Sequence, residues 1–194
     1  MKKRMRLIGK MLYLGILMIS LSALVSSCID IATIAPTDFP YELMLTDEVG
    51  DEYDPAWSPD SEQIAFVLKR QEKSYIYIMN LNDGKIRRLT SRDTIESRPT
   101  WAPGGDLIAF AGALGIDMEI FSIHIDGTGL QMLTDMVGFD SGPAWSPDGE
   151  LIVYTSHPYQ NVEIVVMRAA DGWQRKQLTD HPAIDEGPTW CIVQ

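Results

Sequence analysis

Four tryptophans of this chain fall on one grid. The dipeptide Leu-Thr recurs at Leu45-Thr46, Leu89-Thr90, Leu133-Thr134 and Leu178-Thr179, at intervals of 44, 44 and 45 residues. A proline stands ten residues after each leucine (Pro55, Pro99, Pro143, Pro188), and a tryptophan two residues after each proline (Trp57, Trp101, Trp145, Trp190). A period of this length marks one supersecondary unit repeated, and such a unit buries its apolar faces only against its neighbours. The fixed position of the tryptophans marks them as structural packing in every repeat rather than as a ligand platform.

Each repeat reads the same way. A short strand around the Trp runs into a Pro-containing turn, SPDS (58–61), APGG (102–105) or SPDG (146–149), where Pro presets φ and Gly accepts a positive φ. An apolar strand follows (IAFV 64–67, IAFA 108–111, IVYT 152–155), then a variable loop and a third strand (IYIMN 76–80, IFSIH 120–124, IVVMR 164–168). Asp-Gly at 83–84, 126–127 and 171–172 marks a hairpin turn into a last strand that ends in Leu-Thr. The second and third strands lack polar alternation, so both faces of each small sheet need cover. Four antiparallel strands in ~40–45 residues, stacked face to face, describe a propeller blade. The expected fold is all-β: about three four-stranded antiparallel blades, with repeats starting near 55, 99 and 143 and a truncated one at 188.

The segments AWSPD (56–60) and AWSPDG (144–149), with the IYIMN…DG…RRLT series, resemble the WD-repeat-like propeller repeat of the TolB family. The likeness covers residues 41–190. It departs from the family pattern at APGG (102–105) and where the fourth repeat stops after Trp190-Cys191. The resemblance implies a TolB-like β-propeller in which Leu-Thr closes the outer strand of one blade and the Pro-x-Trp strand lies innermost in the next. It also implies a platform for protein partners. Related propellers stand beside the catalytic domains of prolyl-oligopeptidase-type and tricorn-type peptidases.

The chain ahead of the repeats has another character. Five of the 16 basic side chains and none of the 27 acidic ones precede residue 28, leaving 11 bases against 27 acids in the remainder. MKKRMR, an apolar run and Val25-Ser26-Ser27-Cys28 form the pattern of a secretory signal over residues 1–27, ending in what resembles a bacterial lipobox. Cys28 is the expected lipidated residue. A plain signal peptide with an incidental Cys is the other reading, and the 15-residue apolar stretch from Met11 to Val25 is short for an uncleaved span, which needs ~20. Ile29 in place of Asp after the Cys disfavours, by resemblance to Gram-negative lipoproteins, retention at the inner membrane. Residues 28–40 read as a tether carrying two prolines, and residues 41–194 as the partial propeller. The expected location is the bacterial cell envelope, with attachment to membrane through the lipid.

An overall charge of −11 excludes nucleic acid as a partner, since phosphate binding needs a basic surface. The connections between Leu-Thr and Pro-x-Trp (47–54, 91–98, 135–142, 180–187) share one end of the blades in the expected fold. They hold 12 of the 27 acids and only two bases, Arg92 and Arg98. Asp51, Glu52, Asp54, Asp93, Glu96, Asp140, Asp185 and Glu186 are therefore the candidate binding face, for a basic peptide or a cation. Turn chemistry and solubility explain the same acids without a ligand. Trp173, off the grid after Asp171-Gly172, joins them as a contact candidate. His157 and His181 are weak metal candidates with no tight ligand motif, and no metal or cofactor is expected.

No GxSxG elbow, P-loop or dinucleotide fingerprint is present. The expected function is a lipid-anchored, non-catalytic platform for a protein or basic peptide. The alternatives are the propeller part of a peptidase or carbohydrate-active enzyme whose catalytic portion is missing, and a truncated fragment. The terminal fragments 41–46 and 188–190 match the outer and inner strands of a closing blade whose middle strands are absent. That leaves apolar faces on the first and third blades open to self-association. A two-fold dimer would reach six blades but with surplus fragments, so truncation is favoured over a designed half-ring.

Overall fold

The computed structural model describes residues 46, 49–92, 94–135, 138–157, 161–180 and 182–191. The signal-like leader, Cys28, the tether and all of the expected first outer strand except Thr46 lie outside the described residues. Within them are twelve strands: β1 Asp51–Trp57, β2 Gln63–Arg70, β3 Lys73–Asn80, β4 Ile86–Arg88, β5 Glu96–Trp101, β6 Leu107–Leu114, β7 Asp117–His124, β8 Gln131–Met132, β9 Phe139–Trp145, β10 Leu151–His157, β11 Glu163–Arg168 and β12 Lys176–Gln177. They pair antiparallel in chain order as three four-stranded blades. One parallel bridge, Met118 to Phe139, also joins the second blade to the third.

The lack of alternation in the middle strands has a direct cause. Ile108 and Phe110 of β6 pack toward the first blade, with Ala65, Val67, Ile76, Ile78 and Trp101. Ala109 and Ala111 of the same strand face the third, with Ile152, Tyr154 and Met167. Large side chains on one face meet small ones on the other, so the blades interdigitate. Phe110 and Phe121 stack with ring centroids 5.7 Å apart, and truncating a buried Phe of this kind costs ~3–5 kcal/mol. No strand of the first blade contacts a strand of the third among the described residues. The blades form an open arc.

The grid tryptophans sit at these junctions unequally. Trp101 is buried, and its indole N–H donates to Ala56 O across the first junction at 3.0 Å. Trp190 repeats that bond to Ala144 O at 2.9 Å. Trp145 packs in the second junction with its indole N–H buried and without a partner. Trp57 is 48 % exposed, because among the described residues no inner strand precedes it.

Residues 188–190 carry no strand, contrary to expectation. An inner strand needs its antiparallel neighbour, and none follows within the described residues. The segment docks on the third blade instead. Asp185 N–H donates to Val162 O at 3.0 Å, Gly187 N–H to Thr155 Oγ1 at 3.1 Å, and Trp190 to Ala144 O. Val153 and Thr155, which share that face of β10, are buried. On the first blade Ile64, Phe66 and Leu68 are buried as well. The two end blades are thus less open than the repeat arithmetic suggests.

Candidate functional site at the inner-strand entries

Each connection from Leu-Thr to the next inner strand is organised by its threonine. The Thr90 hydroxyl donates to Glu96 Oε2, and its oxygen accepts Ile76 N–H at 3.1 Å. Ile76 N–H also reaches Glu96 Oε2 at 3.2 Å, and Ser74 Oγ donates to Glu96 O at 2.7 Å. Thr46 donates to Glu52 in the same way. In the second and third blades the acceptor comes from the blade's own third strand: Thr134 donates to Glu119 Oε2 at 2.5 Å and Thr179 to Glu163 Oε2 at 2.6 Å. Asp140, on β9, accepts from Ser156 Oγ at 2.6 Å. Thr90 is thus a hydrogen-bond hub that locks an outer strand, a third strand and the next blade's entry together, Thr134 and Thr179 tie their outer strand to the third, and Thr46 reaches the next entry.

These carboxyls are taken out of water. Glu52, Glu96, Glu119, Asp140 and Glu163 are all buried. Burial pushes Glu96 up to about 7, only partly offset by the Thr90 hydroxyl, Ile76 N–H and the charges of Arg88 and Arg92, and its Oε1 has no partner. Burial also lifts Glu119 to about 7, the Thr134 hydroxyl opposing it and Asp140, Asp117 and Asp135 adding to it. Asp140 is raised by burial too, against the Ser156 and Thr134 hydroxyls.

The candidate face accordingly divides. Glu52, Glu96 and Asp140, each six residues after a hub threonine, are buried and present no carboxylate to a ligand, whereas Asp185, at the same spacing from Thr179, has no further blade over it among the described residues. Asp51 and Glu186 are exposed, and Asp54 and Asp185 half-buried. Asp93 and His181 lie outside the described residues. Trp173 is on the turn between β11 and β12, which the antiparallel register puts at the opposite end of the blade from the inner-strand entries. His157 ends β10, exposed, and no group of three or more His, Cys, Asp or Glu that could hold a metal gathers among the described residues.

The residue before each grid proline is left-handed: Asp54 (φ 51°), Arg98 (φ 51°), Gly142 (φ 62°) and Gly187 (φ 69°). Two of these are not glycine, a conformation that carries strain. A bulge accompanies it, the register shifting between Tyr53 and Ala56 and between Ser97 and Thr100. Arg98 N–H donates to Asp54 Oδ2 at 2.9 Å across the first junction. A Cβ on Gly142 would lie 3.0 Å from Arg98 Nη1, so the guanidinium runs over the third blade's glycine. The inner rim thus reads acid, base, then two bare backbones. Glu119 and Glu163 were not legible as site residues, and their signal was an acid placed just ahead of an apolar run.

A family model described as the TolB beta propeller domain matches residues 41–192. Among solved structures, TolB from Acinetobacter baumannii superposes with a TM-score of 0.70 at 24 % identity, over 79 % of this chain and 38 % of that one. The protein assigned as TolB in Agrobacterium tumefaciens gives 0.66 at 25 %, over 71 % and 52 %. An oligogalacturonate lyase in complex with manganese gives 0.60 at 16 %, over 75 % and 46 %, a likeness of fold alone. The chain spans about half or less of the length of each. The match over most of the chain makes this protein a member of the TolB beta propeller domain family.

Proposed function

We propose that the chain is a non-catalytic binding module of a bacterial cell envelope, held to membrane by lipid on Cys28, and that it takes a basic protein segment at the inner-strand entries. The observation that carries this reading is the group of acids left in contact with water after the junction carboxyls are removed: Asp51, Asp54, Asp185 and Glu186. They share one end of the blades with the strained pre-proline backbone. A segment rich in Lys or Arg would pair with these acids, and Arg98 would set the side from which it approaches. The membership of a family whose solved relatives are named TolB supports a protein partner over a small substrate.

The test is association kinetics with a basic partner peptide. Exposed charges are screened beyond ~8 Å at physiological ionic strength, so neutralising Asp51, Asp54, Asp185 and Glu186 together should slow association more than dissociation. An on-rate that ignores both salt and these four substitutions overturns the proposal.

A further inference from the structure

Trp173 is 72 % exposed, yet the turn that carries it is pinned. Arg168 holds Asp171 through Nε at 2.8 Å and through Nη2, and Asp171 Oδ1 accepts Trp173 N–H at 3.1 Å. Arg175 then fastens the turn to the second blade, donating to Leu133 O at 2.9 Å and to Asp135 Oδ1 at 3.0 Å. Gly172 presses so close to that strand that a Cβ there would lie 1.8 Å from Leu133 O. Gln174, next in sequence, is left-handed at φ 57°. A turn fixed by two blades holds in place the backbone from which this exposed indole projects.

The indole borders a cleft of about 500 Å³ between the second and third blades, shared with Met132, Asp135, Gln174 and Arg175. A second cleft of about 500 Å³, lined by Leu107, Trp145 and Leu151, meets it at Gln174. Each is of the size that small ligands use, ~300–1,000 Å³. The cleft beside Trp173 is the candidate groove, with both apolar and polar lining.

We propose that this groove binds a neutral oligosaccharide, with one sugar ring stacked on Trp173. The C–H face of a pyranose carries partial positive charge and meets the negative face of an indole, while its hydroxyls need neighbours that both donate and accept. Gln174 does both, Asp135 accepts and Arg175 donates. The charge pattern selects a neutral ligand. Around Trp173, Arg168 is paired with Asp171 and Arg175 with Asp135, so neither an acidic nor a basic ligand finds an uncompensated partner there, and the exposed Glu150 borders only the second cleft. A basic peptide, the occupant proposed for the inner rim, is disfavoured here for that reason. The two sites are tested through different residues and stand or fall separately.

The experiment is calorimetric titration of the purified full chain with cellotetraose, chitotetraose and maltotetraose as probes, each up to ~20 mM, since a single stacked ring supports dissociation constants near ~1 mM. At least one should bind. Trp173→Ala should weaken it ~10-fold or more, Trp173→Phe less than ~3-fold, and Gln174→Ala by ~3-fold or more. Neutralising Asp51, Asp54, Asp185 and Glu186 should leave it unchanged. Binding of none of the three, or binding that Trp173→Ala leaves intact, overturns the proposal. So does a basic peptide that shields Trp173 from iodide quenching where the sugars do not.

Discussion

Glu96 should make this protein less stable as pH rises toward neutrality, and Glu96→Gln should remove that loss. The side chain is fully buried at the first junction, bonded through Oε2 to Thr90 and to Ile76 N–H, with Oε1 unpartnered. Burial raises it from 4.5 to about 7. The folded chain therefore holds the proton more tightly than the unfolded chain. Below pH 4.5 both states are protonated and the group is neutral to stability. As pH rises the unfolded chain ionises first, and the penalty grows until the folded carboxyl ionises near 7. A rise of this size corresponds to about 3 kcal/mol once both states are ionised, of which about 2–3 kcal/mol develops between pH 5 and pH 8. Glutamine keeps the acceptor for Thr90 and Ile76 and never ionises, though its extra amide hydrogens add a pH-independent cost of ~1–3 kcal/mol. Urea unfolding of both full-length proteins at pH 5 and pH 8 isolates the effect, because Glu119, which shifts in the same direction, cancels in the comparison. The stability of Glu96→Gln relative to the native chain should improve by about 2–3 kcal/mol from pH 5 to pH 8. A relative stability that is the same at both pH values refutes the reasoning, and one that worsens at pH 8 shows an ionised, stabilising Glu96.

The two junction tryptophans should respond differently to the same change. Trp101→Phe strips the donor from Ala56 O, whereas Trp145→Phe removes a buried donor that has no partner, so the first should cost about 1–2 kcal/mol more by chemical denaturation; equal losses contradict this. Gly84 and Gly172 are both left-handed (φ 69° and 73°), but a Cβ on Gly84 meets nothing within 4 Å. Gly84→Ala should cost about 1 kcal/mol and Gly172→Ala at least about 2 kcal/mol more, since its Cβ would overlap Leu133 O; matching melts argue that the junction yields without strain. Cys28→Ala should leave an unprocessed precursor without lipid label, and normal maturation of that variant removes the lipid anchor from the proposed function.

The blades were legible because each is a covalent copy of one unit, and Pro-x-Trp and Leu-Thr mark the two edges of every unit. The acids were harder. Counting Asp and Glu in the connections cannot separate a solvated carboxylate from one that accepts a hydroxyl at its own hub. Yet Glu52, Glu96, Asp140 and Asp185 stand at one grid position, six residues after threonine, and that regularity was the available sign of a structural role, realised in the three that a neighbouring blade buries. Trp173 was visible as off the grid, but its place at the other end of the blade follows from strand direction, not from spacing. The last inner segment carries no strand because a grid position specifies one only beside its antiparallel partner, and none follows among the described residues.

With no contact between the first and third blades among the described residues, the stack has no clasp. It is a linear array in which every unit is held only by its neighbours. Such an array opens from its ends, as a zipper does, and the middle unit, β5 to β8, guarded on both sides, opens last. Amide exchange should therefore grade outward from Ile108–Ala111 toward both terminal blades. The central unit would then act as the nucleus on which either flank re-forms.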